Sequence, residues 1–223
     1  TGVCSSTFEI NKASGTINFN SSVTFSRNYT YLAGTVNWNT NTAIFSGNSS
    51  GVTITAGVFY NLTLGSGVHA TQITGAIPVT NNLTLNTCAS INGSNITFGA
   101  NLAIAGTITT GTSKVLPAST GNQTTSGAGT IGITLEINKV TGSFDLGATY
   151  TGLNTTYGVI NLISGTVNQN AYNIATVRDI NISGGTFNGS ANSISIGNTM
   201  TVSGGTVVGS SGNITCSGKF IQT

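Results

Sequence analysis

The 223 residues include four acidic side chains (Glu9, Glu136, Asp145, Asp179) and six basic ones (Lys12, Arg27, Lys114, Lys139, Arg178, Lys219), so 4% of the chain is charged, against about 25% in ordinary soluble proteins. The net charge of +2 is scattered along the chain, which excludes a basic patch for nucleic acid. A hydrophobic content of 38%, rich in Val and Ile beside abundant Thr, excludes a disordered chain, and the length suffices for one domain or one solenoid with a substantial core.

In chain order, residues 1–14 lack the triplet that marks the rest and are expected to form an N-terminal cap or a strand exchanged with another subunit. Residues 15–223 read as a single repetitive β domain. Gly15-Thr16-Ile17-Asn18-Phe19 is answered 19 residues later by Gly34-Thr35-Val36-Asn37-Trp38. Asn61-Leu62-Thr63-Leu64 returns as Asn82-Leu83-Thr84-Leu85 and then as Asn101-Leu102-Ala103-Ile104. Residues 111–129 break the period and are expected to form an irregular protruding loop. Beyond them Ile131, Ile133, Leu135 and Ile137 alternate with other residues. Gly165-Thr166-Val167, Gly185-Thr186-Phe187 and Gly205-Thr206-Val207 then recur every 20 residues, with Ile174, Ile194 and Ile214 in one column and Ile180, Met200 and Phe220 in another.

A fixed period near 20 signals stacked units, none of which buries its apolar face alone. Within each unit the alternation has a period of two, as in half-buried strands. Gly, Asn and Ser supply the turns, and Thr and Asn suit outward hydroxyl or amide ladders. The expected fold is all-β: a β-solenoid, or parallel β-helix, with coils of about 20 residues holding two or three strands each. About eleven coils stacked at roughly 4.8 Å would make a rod of order 50 Å. The alternative is a β-sandwich with strand exchange between subunits. No apolar run approaches the roughly 20 residues of a membrane-crossing helix. A first residue of Thr with no leader after it reads as a processed form or a fragment.

The Gly-Thr-apolar columns, the Asn-Leu-Thr-Leu strands and the near absence of charge resemble repetitive bacterial or archaeal surface proteins, the filamentous-haemagglutinin-like β-helices among them. The resemblance covers most of residues 15–223 and is one of composition and period. It implies secretion, display at the cell surface, and filament assembly, adhesion or biofilm structure, and it transfers no functional residue.

The chemistry of the side chains points away from catalysis. His69 is the only histidine, and a triad would need Asp145 or Asp179 beside it from several coils away, with no Gly-x-Ser-x-Gly elbow in the chain. A polysaccharide lyase or hydrolase, a minor alternative, needs carboxylates about 5 to 9.5 Å apart or carboxylate-bound calcium. Asp145 and Asp179 are separated by a non-integral number of coils, and Asp179 reads as a local pair with Arg178. No metal-ligand spacing and no phosphate loop is present. The chain is therefore expected to be non-enzymatic, with no catalytic, cofactor-binding or metal-binding residue and no cofactor.

Other expectations concern assembly. Cys4, Cys88 and Cys216 are disulfide candidates, an odd count suggesting one bridge plus one free or intermolecular thiol. Cys216 shares a column with Ile196 and Thr176, so a buried small hydrophobe is the plainer reading. Asn-x-Ser/Thr sequons begin at Asn20, Asn28, Asn48, Asn61, Asn82, Asn92, Asn95, Asn122, Asn154, Asn181, Asn188 and Asn213 and are glycosylation candidates. With almost no Lys or Glu to guard strand edges, head-to-tail stacking into a homopolymer is the expected partner interaction. Surface glycans are a second class of partner, and nucleic acid and a transmembrane segment are not expected. A binding module would present a flat Thr face for ice, as at Thr53-Ile54-Thr55, or Trp38, Tyr60 and Tyr150 for carbohydrate.

Overall fold

The structure is a computed structural model that describes residues 1–223 except 48–50, 66, 68, 154–157 and 210. Among the described residues there are 26 strands and no helix, and every strand pairing is parallel. A β-sandwich would pair antiparallel strands; the chain is instead a parallel β-solenoid of about 11 turns with coils of about 20 residues.

Each coil contributes to three faces. On the first, Gly2–Cys4, Val23–Phe25, Thr42–Phe45, Asn61–Leu64, Leu83–Leu85 and Leu102–Ile104 pair in succession. That column continues through Gln123–Ser126 and residues 143–145 and 166–168 to Thr186–Asn188 and Thr206–Val208. On the second face Val52–Ile54, Thr71–Ile73 and residues 91–93 pair in order, and the series closes on Ile174, Ile194 and Ile214. On the third, Ile77–Val79, Ile96–Phe98 and Lys114–Pro117 lead to Ile160, Ile180, Met200 and Phe220.

The pleat explains the burial. Leu62 and Leu64 point inward and are fully buried while Thr63 between them is half-buried on the outside, and the same apolar-polar-apolar pattern recurs at Leu83–Leu85 and Ile96–Phe98. The first coils fill their interior with rings: Phe25 stacks on Phe45 at 5.1 Å and Phe19 on Trp38 at 4.0 Å. From Leu62 onward the filling is mainly Leu, Ile and Val. The turns demand glycine at stacked positions. Gly185 has φ +75°, and a Cβ there would lie 2.4 Å from the Gly165 carbonyl oxygen, so conformation and coil spacing both exclude a side chain.

Two expectations are corrected. Residues 111–129 are not a protruding loop, because Lys114–Pro117 and Gln123–Ser126 within them lie in register on the strands before them. The period breaks because Leu102 pairs with Thr125, 23 residues on, and the surplus is taken up in a wider corner. Ile196 does lie beside Cys216, yet its partner in the preceding coil is Val177 and not Thr176. Thr176 sits at a bulge with φ +54° and donates from Oγ1 to Gly152 O at 2.8 Å. Residues 1–14 supply Gly2–Cys4 and part of Phe8–Asn18, which pair in parallel with the second coil.

Candidate functional site

The first and last described coils carry half of the exposed large hydrophobic side chains. Ten large hydrophobic side chains are exposed among the described residues, and five of them, Val3, Val208, Ile214, Phe220 and Ile221, belong to the first or last coil. Ile214 and Phe220 stand in inward columns, in register with the buried Ile194 and Met200. At the opposite end Phe8 and Ile17 are partly buried members of the core. Both end faces also present backbone N–H and C=O groups of strands paired on one side.

Along the flanks, polar side chains bond from coil to coil. Asn61 Oδ1 accepts from the Asn82 N–H at 3.2 Å, Asn82 Oδ1 from the Asn101 N–H at 3.2 Å, and Asn101 Oδ1 from the Thr124 N–H at 3.3 Å. Elsewhere Asn181 Nδ2 donates to Asn161 Oδ1 at 2.9 Å and Asn188 Nδ2 to Asn168 Oδ1 at 2.7 Å. These ladders satisfy backbone groups at the corners, a role that Asn side chains fill well.

The sequons divide accordingly. Asn20, Asn28, Asn95, Asn122 and Asn213 are exposed, whereas Asn61, Asn82, Asn92, Asn181 and Asn188 are half-buried. Asn48 and Asn154 lie outside the described residues.

The three cysteines stand far apart. Cys4 is in the first coil, Cys88 in the fifth and Cys216 in the last, each with a free thiol. At about 4.8 Å per coil every pair is separated by more than the roughly 7 Å Cα limit of a disulfide, which corrects the expectation of an internal bridge. Cys88 is buried, and its Sγ donates to His69 O at 2.8 Å and Ser90 O at 3.1 Å.

The acids serve local structure. Lys114 Nζ meets Glu136 Oε2 at 2.6 Å, and Arg178 Nε meets Asp179 Oδ2 at 3.2 Å, the local pair read from the sequence. Asp145 Oδ1 accepts from Asn168 Nδ2 at 2.5 Å. Asp145 lies in register on the first face and Asp179 at the start of the third, and His69 is half-buried several coils away. Among the described residues no three His, Cys, Asp or Glu side chains converge, and no helix is long and apolar enough to cross a membrane.

The aromatic face does not assemble. Trp38 and Tyr150 are 3% and 1% exposed inside the core, and Tyr60 is partly buried. Inward register consumes these rings in packing. Thr columns are short among the described residues: Thr63 and Thr84 lie between Ile44 and Ala103, while Thr166, Thr186 and Thr206 are in register over three coils after Ser143.

One feature escaped the sequence reading. Lys139 is 3% exposed, and its Nζ donates to Ser119 O at 2.5 Å, Gly121 O at 2.9 Å and Gln123 Oε1 at 2.6 Å. The sequence signal was weak: a lone Lys at the end of an Ile-Ile-Leu-Ile strand, where an exposed residue is the ordinary expectation.

No family model, curated protein or solved structure matches the chain.

Proposed function

We propose that the chain is an extracellular structural protein whose copies stack end to end, through their terminal coils, into a cell-surface filament or adhesive fibre. The observation that carries this reading is the stacking rule itself: coil after coil pairs in parallel and in register, as Ile180, Met200 and Phe220 do, and 4% charge leaves the columns almost uninterrupted. A coil of a neighbouring copy laid in phase on the 206–222 coil brings its second-face strand, with Phe8, over Ile214. The third-face strand, with Ile17, then falls over Phe220. Backbone edges and apolar columns are satisfied together, and the scarcity of charge removes the usual obstacle to such pairing. A contact between unlike ends does not close, so it propagates. The composition, and the resemblance to repetitive surface proteins, favour an extracellular setting. Carbohydrate or ice binding has less support, since Trp38 and Tyr150 are buried and the Thr columns among the described residues, such as Thr166, Thr186 and Thr206, span three of about eleven coils.

Electron microscopy and sedimentation of the purified chain test the proposal. Unbranched filaments of single-solenoid width are expected, and Phe220→Ser is expected to shorten or abolish them. Monodisperse monomers at high concentration would overturn it.

A further inference from the structure

The third face carries an apolar strip on its outer surface. Ile77, Ile96 and Val115 point inward and are buried, so the residues after them, Pro78, Thr97 and Leu116, stand outward in register over three coils. Val58, 53% exposed, lies one coil before Pro78, and Glu136, paired with Lys114, ends the strip one coil after Leu116. Pro78, Thr97 and Leu116 floor a groove of about 550 Å³ that Ser94 and Asn95 border at the preceding corner.

Asn95 brings an occupant to this groove. Asn95-Ile96-Thr97 is an acceptor sequon. Because Ile96 points inward, Asn95 and Thr97 both stand on the outer surface, where they line the groove together. Asn95 Oδ1 accepts from the Lys114 N–H at 3.1 Å. That bond fixes the carboxamide and leaves Nδ2, the atom that takes a sugar, without a partner among the described residues. Sugar rings combine apolar C–H faces with polar edges, so a ring laid along the groove covers apolar surface beneath it while its hydroxyls stay in water. From Pro78 to Leu116 the groove covers two coil steps, about 10 Å at 4.8 Å each, room for roughly two rings.

We infer that Asn95 bears an N-linked glycan whose first rings lie in this groove over Pro78, Thr97 and Leu116. In the transfer, Nδ2 attacks C1 of an activated sugar diphosphate. The Nδ2–C1 bond forms, the bond from C1 to the diphosphate oxygen breaks, the diphosphate leaves with the electron pair, and one Nδ2 proton passes to a base of the transferring enzyme. Oδ1 keeps its bond to Lys114. The seated glycan covers the strip with hydroxyls, in a chain with only 4% charge to keep such surfaces apart, and so hinders side-by-side association of rods. Such a seat rests on the extracellular setting proposed above and is independent of end-to-end stacking.

The test uses the full chain secreted from a host that N-glycosylates, followed by glycopeptide mass spectrometry, endoglycosidase digestion and methyl NMR. Asn95 is expected to carry sugar, and the enzyme to release it more slowly from the folded than from the unfolded chain. That protection is expected to be lost in Leu116→Ser, which keeps the sequon and the inward core. The Leu116 methyl signals are expected to shift between the glycosylated chain and Asn95→Gln. An unmodified Asn95 would overturn the assignment, and so would a glycan released equally fast from the folded and unfolded chains with the Leu116 signals unmoved. Filaments are scored separately by electron microscopy, so their absence would strike the stacking and leave the glycan result standing.

Discussion

Phe220 lies one coil beyond Met200 in the same inward column, paired with it in register, yet Phe220 is 60% exposed and Met200 is 1% exposed. Met200 pairs with a coil on either side, Ile180 before it and Phe220 after it, so the two positions differ in how much packing each carries.

Met200→Ala is accordingly expected to destabilise the chain by about 2–5 kcal/mol, through lost burial and a residual cavity. Phe220→Ser is expected to leave stability within about 0.5 kcal/mol while lowering the sedimentation coefficient of any assembly. Denaturant titration and sedimentation velocity on the two variants check both halves. Equal loss of stability in the two would mean that Phe220 is a packing residue and nothing more.

Asn61 joins three partners across the coil boundary: Nδ2 donates to Thr40 O at 3.0 Å, and Oδ1 accepts from Asn81 Nδ2 at 2.9 Å and from the Asn82 N–H. Asn61→Ala leaves those corner groups unpaired and is expected to cost about 1–3 kcal/mol. Asn213→Ala, on the exposed last coil, is expected to be near neutral by the same measurement.

The same hydrogen bonds rank the sequons. Asn28, Asn95 and Asn122 engage Oδ1, accepting from the N–H groups of Thr53, Lys114 and Ser143. Asn61, Asn181 and Asn188 commit Nδ2, the atom a glycan would take. In a glycosylating host, site-by-site mass spectrometry is expected to find higher occupancy in the first group. The reverse order would show that ladder formation does not govern attachment.

Tyr29 and Tyr150 are buried, and neither hydroxyl has a hydrogen-bond partner. Burial raises both phenols well above the ordinary 10.0, with the neighbouring Tyr31 adding to the shift of Tyr29. The folded chain therefore holds these protons where the unfolded chain releases them. Their contribution is complete below pH 10 and declines as pH rises through and beyond it, by roughly 1.4 kcal/mol per pH unit for each tyrosine. Tyr29→Phe and Tyr150→Phe are expected to flatten this alkaline loss in melting curves recorded between pH 9 and 12. They should not weaken the fold at neutral pH, since each removes an unpaired polar atom.

Cys4, Cys88 and Cys216 are expected to titrate as three thiols in denaturant, and the chain to run as a monomer on non-reducing electrophoresis. In-phase stacking places Cys4 over the first-face strand of its neighbour, while Cys216 belongs to the second face, so end-to-end contact does not pair them either. A disulfide-linked ladder of multimers would contradict this arrangement.

The repeat columns were legible in the amino-acid order because a parallel coil stacks like on like. Thr16 beside Thr35, Leu62 beside Leu83, and Ile180 beside Met200 and Phe220 are sequence periods turned into hydrogen-bonded neighbours. Turn glycines and strand alternation add local chemistry that any such coil requires, so class, period and the inward aliphatic columns of the repeats followed from order alone. Three-dimensional packing settled what periodicity does not encode. A one-residue bulge at Thr176 moved Val177 into the column of Ile196. A 23-residue step from Leu102 to Thr125 turned an apparent loop into a coil. Inward register made Trp38 and Tyr150 core residues and not a ligand face. The corner at Ser119–Gly121 folded back over Lys139, bringing its amine to Gln123. Such contacts depend on where a bulge or a wide corner falls, and those are set by how the whole coil closes around its core, not by any residue's own preference.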